Sequence, residues 1–222
     1  MTTRLFSTKA ALSYGWAKMI EHLNIFLPLC LLSWVASALQ AGINRWHGAA
    51  TLMRWLVAPI LLVATVQLSI VWVRTILKVQ DGRAPNRAEL THVDLTELFK
   101  YLIGSLLYGL VVAGGLVLLI VPGVLWAIKY CFTGFLIVDL GLDPLTAMRR
   151  SAELTRPARG QLLVFGLALL GVNILGALVL GVGLLATAPM TVLALGQVYR
   201  QLLHSASESH AAQGQHGPPV LV

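Results

Sequence analysis

Charge is what this chain has least of. Of 222 residues, 11% are Asp, Glu, Lys or Arg and only nine are acidic, whereas a soluble domain carries about a quarter charged residues. A surface built from so few charges cannot be mostly water-facing. Cysteine is nearly absent too. Cys30 and Cys131 both fall inside apolar runs, where a lone thiol packs as a small hydrophobe. Two such residues give neither a disulfide framework nor metal-ligand spacing. The six histidines (His22, His47, His92, His204, His210, His216) contain no i, i+4 pair suited to a metal on one helix face. No phosphate-binding Gly-rich loop and no Ser–His–Asp set appears. The sequence therefore predicts no catalytic set, no cofactor and no metal.

What is present is apolar. Hydrophobic residues make up 57%, mean hydropathy is +0.79, and several runs approach the ~20 residues that cross a bilayer. The pattern predicts an all-α integral membrane protein with six transmembrane helices, at residues 24–43, 52–73, 101–121, 123–140, 162–182 and 184–203. Only Val121-Pro122-Gly123 separates the third and fourth runs, and glycines around Gly181 and Gly183 separate the fifth and sixth. The six helices thus read as three hairpins in one membrane domain, 1–204. The tail 205–222 has no periodicity and reads as disordered and cytoplasmic. A faint cleavage-like "ASALQA" follows the first run, but the long leading segment fits an uncleaved anchor better.

The net charge of +7 does not point to nucleic acid, because the basic residues sit at the ends of apolar runs. Thirteen Lys and Arg fall on one side of the six-helix layout and two, Arg45 and Arg54, on the other. By the positive-inside rule both termini are cytoplasmic. Trp16, Trp46, Trp55 and Trp72 lie near the expected interfaces, where indole is favoured.

A short segment with a helical apolar stripe precedes each hairpin. Leu12, Trp16, Met19, Ile20 and Leu23 form the first. Leu95, Leu98, Phe99 and Leu102 form the second, after Asn86 and Glu89, which have capping-box spacing. Asp143-Pro144 opens the third as N-cap and first-turn proline; its stripe is Leu145, Met148 and Ala152, beside Arg149, Arg150 and Arg156. Amphipathic helices with basic polar faces lie in the membrane interface, so these three arginines are candidate contacts for anionic lipid. Gly166, Gly171, Gly176 and Gly181 recur every five residues along the fifth run; that spacing rotates around a helix and lets several neighbours approach.

Four polar residues fall within the runs: Lys129, Asn173, Gln67 and Gln197. Lys129 follows Pro122 by seven residues, about 10 Å along a helix. Asn173 has a similar depth in its own run. An ammonium at such depth needs a partner or must snorkel. The expectation is that Lys129 faces the bundle interior, near Asn173 or carbonyls freed by a break at Pro122-Gly123.

Pro122-Gly123, the aromatic helix with Tyr130 and Phe132, then Ala147, Ser151 and Leu154, and the later "GLLATAPMTVLALGQVYRQL" ending at Tyr199-Arg200, carry a resemblance. The C-terminal half resembles the bacterial glycerophosphoryl diester phosphodiesterase membrane-domain family and related multi-pass membrane proteins. Pro157 departs from it, standing where glycine or a polar residue is called for. The resemblance implies a multi-pass membrane domain; the diesterase activity belongs to a separate soluble barrel whose motifs are not among these residues. Two functions remain: a non-catalytic inner-membrane protein that organises lipid or binds a membrane partner or a second copy of itself, and a small transporter or channel with a polar site around Lys129. A lipid-modifying enzyme ranks third.

Overall fold

The computed structural model describes residues 6–45, 51–83, 94–178 and 183–214. Among them every regular element is a helix: α1 (Thr8–Glu21), α2 (Leu23–Arg45), α3 (Thr51–Gln80), α4 (Leu95–Leu118), α5 (Ile120–Lys129), α6 (Thr133–Leu140), α7 (Pro144–Thr155), α8 (Arg159–Leu178) and α9 (Leu184–Gly214). Five stretches are long and apolar enough to cross a membrane: Leu23–Ile43, Trp55–Gln80, Leu95–Leu118, Val121–Leu140 and Pro144–Leu178. The protein is an all-α, multi-pass membrane protein by that measure.

The sixth expected span, in α9, is not among those five, and its position explains why it is less apolar. Leu193, Ala194, Val198, Tyr199 and Leu202 of α9 are at most 1% exposed. A helix wrapped by other helices does not need the uniformly greasy surface that lipid demands. α9 also runs to Gly214, so the sequence boundary at 204 does not hold: helix continues ten residues beyond it, with Ser205 and Ser207 hydroxyls donating to the Leu202 and His204 carbonyls.

Burial divides the molecule into a packed base and three apolar arms. Among the described residues no buried hydrophobic side chain lies in 31–65, 99–131 or 170–189. Those segments are the outer parts of α2 and α3, α4 with α5, and the end of α8 with the start of α9. Their large apolar side chains point outward, from Trp55 at 75% exposed to Val117 at 88%. The base holds Phe26, Ile76, Phe132, Leu136, Phe165, Leu193 and Tyr199 in one cluster. Phe132 and Phe135 pack on the Tyr199 ring at centroid distances of 5.7 and 5.4 Å.

The three amphipathic segments come out differently from one another. α1 is a separate helix, capped by Ser7, whose Oγ accepts from the Ala10 N–H. It buries Ala11, Gly15 and Met19; of the expected stripe Met19 is inside and Leu12 packs against the core, whereas Trp16, Ile20 and Leu23 face outward. The small i, i+4 face lets its backbone lie directly on α9: a Cβ on Gly15 would stand 2.7 Å from the Met190 carbonyl oxygen. The second segment is no separate helix, because Leu95–Leu118 is continuous; Asn86 and Glu89 lie outside the described residues. The third, α7, buries Ala147, Met148, Ser151, Leu154 and Thr155, while Leu145 is 62% exposed. Backbone angles stay right-handed helical through Arg156 and Arg159, so α7 runs into α8 through a 3-10 turn at Arg156–Ala158. Pro157 accounts for that pinch, since it removes a helical donor.

The turn between α4 and α5 also falls elsewhere than expected. Leu119 is extended, at φ −166° and ψ 146°, and Pro122 lies within the first turn of α5, where the missing N–H costs nothing. Gly123 serves the close approach of α4 and α5, because a Cβ on Gly115 would sit 2.8 Å from the Gly123 Cα.

Candidate functional site

The fourth apolar run is broken in its middle, directly after Lys129. Tyr130 leaves the helix at φ −113° and ψ 11°, and helix resumes at Thr133. An interrupted helix exposes backbone donors and acceptors that must be satisfied in an apolar setting. Two hydroxyls of α7 do this. Ser151 Oγ accepts from the Phe132 N–H at 3.3 Å and donates to the Lys129 carbonyl at 3.1 Å. Thr155 Oγ1 lies 3.1 Å from the same carbonyl and 2.8 Å from the Ser151 carbonyl. Thr133 closes the other side, its hydroxyl donating to the Tyr130 carbonyl at 2.8 Å. Ser151 and Thr155 are both fully buried.

This arrangement corrects the expected surroundings of Lys129. The break follows the lysine instead of preceding it at Pro122-Gly123. The freed carbonyls bind α7 hydroxyls, and the ammonium lies 4.9 Å from the centroid of the Tyr130 ring, an attraction of about 0.5–2 kcal/mol. Asn173 is elsewhere. Its amide donates to the Leu169 carbonyl and to Thr191 Oγ1, both at 2.8 Å, joining α8 to α9. Thr155, the neighbour of Lys129, is eighteen residues before Asn173 along a backbone that stays helical, or about 27 Å. Gln67 is exposed on α3. Gln197 is half-buried on α9, with an Oε1 that has no partner. The four intramembrane candidates do not form one site.

The base carries a set of ion pairs that the sequence reading missed. Arg200 of α9 donates to Asp139 of α6 and to Asp81 beyond α3, each at 2.9 Å. Tyr199 adds its hydroxyl to Asp139 at 2.8 Å. One guanidinium thus ties together three segments of the chain. Arg74 pairs with Glu97, and Lys100 with Asp143 at 3.0 Å while also donating to the Gly141 carbonyl. Asp143 is therefore an ion-pair partner, and it makes no side-chain cap for α7. On α1 the hydrogen bond between Lys18 and Glu21 holds the Glu21 carboxyl below its ordinary range and the Lys18 ammonium above its own. The signal in the sequence was Asp139 itself, an acid at the end of an apolar run with an Arg at the end of another.

The three candidate lipid contacts separate into two kinds. Arg150 is half-buried and pairs with Glu153 at 3.2 Å. Arg149 and Arg156 are exposed, as is Arg159, and none of the three has a carboxylate partner among the described residues. Seven residues separate Arg149 from Arg156, two helical turns, so they share one face. Among the described residues no three of His, Cys, Asp and Glu converge as metal ligands would. Comparison with family models, curated proteins and solved structures finds no match for this chain.

Proposed function

We propose that this chain is a non-catalytic, six-span protein of a bacterial inner membrane that gathers anionic lipid against its cytoplasmic side. Both termini are cytoplasmic in this reading, which the thirteen-to-two division of Lys and Arg supports. α9 supplies the sixth crossing, sheltered by its neighbours. The observation that carries the lipid reading is the contrast among the basic residues. Arg74, Lys100, Arg150 and Arg200 are paired with carboxylates inside the fold, whereas Arg149, Arg156 and Arg159 present free guanidinium groups along α7 and the start of α8. Each would attract anionic lipid by about 1 kcal/mol near the surface. The test is the lipid retained by protein purified in mild detergent. Replacing all three arginines with Gln is expected to lower the anionic share while membrane insertion persists. An unchanged lipid profile would reduce these residues to signals of orientation.

A membrane-protein partner or a second copy of the chain could use the same exposed arms, and would appear in that purification as a stoichiometric companion. Transport stands second. Its support is the interrupted helix at Tyr130, a device by which transporters expose carbonyls to ions or substrates. Against it, the Lys129 and Tyr130 carbonyls are already taken by Ser151, Thr155 and Thr133. Solute flux in proteoliposomes, abolished by Lys129→Met, would reverse the order.

A further inference from the structure

Lys129 puts a charge near the middle of the fourth crossing stretch, Val121–Leu140, about 12 Å along the helix from one end and about 16 Å from the other. An ammonium at that depth calls for a counter-charge. Among the described residues no carboxylate pairs with it. The acids on neighbouring elements are engaged elsewhere: Glu97 by Arg74, Asp143 by Lys100 and Asp139 by Arg200. What Lys129 has is the face of the Tyr130 ring at 4.9 Å, which attracts a cation without neutralising it.

Tyr130 also lines a cavity of about 180 Å³ between α3, α4 and the broken helix. Tyr101, Ser105 and Tyr108 line it from one face of α4, and the outward apolar side chains of that helix, Phe99, Ile103, Leu106 and Leu110, lie on the opposite face. The Tyr101 hydroxyl faces those of Ser69 and Ser105. The hydroxyls of Tyr108 and Tyr130 have no hydrogen-bond partner among the described residues, and neither oxygen is sealed into the packing. No carboxylate lines the cavity. The carbonyls that would attract a cation are taken by Ser151, Thr155 and Thr133. Unpaired hydroxyl donors one aromatic ring from an uncompensated ammonium favour negative charge. The single ammonium sets its size, because a divalent anion would keep one charge uncompensated in apolar surroundings. A volume near that of an engineered cavity that holds benzene, about 150 Å³, admits a halide, a nitrate or a short carboxylate.

We propose that this cavity binds one small monovalent anion, with the Tyr108 and Tyr130 hydroxyls as donors and Lys129 as the counter-charge. Lys129 is not in the wall itself; its charge acts from the Tyr130 ring, where Coulomb attraction is weakly screened. The site uses none of the arginines of α7, so it stands or falls apart from the lipid reading.

Isothermal titration of the full chain in detergent with sodium chloride, nitrate and acetate tests the proposal, each against a sodium sulfate background at constant ionic strength. Saturable binding of one monovalent anion per chain is expected, undisturbed by sulfate. Tyr108→Phe, which removes only an oxygen, should weaken it about tenfold, as the loss of one hydrogen bond to a charged group implies. Lys129→Gln should abolish saturation in a protein that still unfolds cooperatively. The Arg149, Arg156 and Arg159 to Gln variant should bind as the parent does, whatever happens to its lipid. If none of the three anions saturates, the cavity holds water only and the proposal is overturned. Binding that survives Lys129→Gln, or that sulfate displaces, overturns it too. Unchanged affinity in Tyr108→Phe does so without recourse to the lysine.

Discussion

Ser151→Ala removes one oxygen and tests whether α7 holds the broken helix together. The hydroxyl is fully buried, accepts from the Phe132 N–H and donates to the Lys129 carbonyl. Its loss leaves the Phe132 N–H unpaired, at about 1–3 kcal/mol for a buried donor. The Lys129 carbonyl keeps Thr155, so it adds little. A loss near 2 kcal/mol corresponds to about 4–8 °C in Tm for a chain of this size. Thr155→Val alone should cost about 1 kcal/mol, because Ser151 still serves the carbonyl. The double variant strips that carbonyl of both hydroxyls and should exceed the sum of the singles, the signature of a shared partner. The measurement is thermal unfolding in one detergent, followed by circular dichroism for all four proteins. A Ser151→Ala shift below about 1 °C, or strict additivity in the double variant, would show that the break is held by chain packing and that the hydroxyls are incidental.

At the ion-pair cluster, Asp139→Asn keeps an acceptor for the Tyr199 hydroxyl, whereas Asp139→Leu strands it beside a guanidinium that retains only Asp81. The leucine variant should lose about 3 kcal/mol and the asparagine variant about 1; equal losses in denaturant unfolding would refute the proposed role of the tyrosine. For the six-span layout, reporter fusions after Gly48 and Gly82 should report opposite faces, and a periplasmic signal from a fusion in the tail would rule the layout out.

The helical, membrane-apolar character of the chain was legible because it depends on composition and run length alone. The places where helices stop were less so. Proline and glycine at 122 and 123 resemble a turn, but a proline is harmless in a first helical turn, and the actual turn uses Leu119, a residue with no local signature. The break after Lys129 is less visible still. Nothing between Tyr130 and Phe132 forbids helix strongly. The groups that stabilise the interruption arrive from Ser151 and Thr155, about twenty residues later, through a contact that no local window contains. Lys129 drew notice because a charge in an apolar run is conspicuous, but its carbonyl is what α7 binds.

The placement of α1 and α9 shows why apolar stripes mislead in this kind of protein. In water the larger apolar face of a helix turns inward. Beside lipid that drive is absent, and the face allowing closest backbone approach wins instead. α1 follows the second rule. Trp16, Ile20 and Leu23 turn outward, while Ala11, Gly15 and Met19 are buried and Gly15 lies on α9. α9 in turn keeps Tyr199, Arg200 and two glutamines among its buried and half-buried positions, because protein surrounds it. The same reasoning bears on the arms. Their exposed Leu, Val and Trp side chains need no protein partner where acyl chains cover them, while Tyr108 and its neighbours in the cavity do need an acceptor. Polar groups on the arms are therefore more informative about ligands than the far larger apolar surface around them.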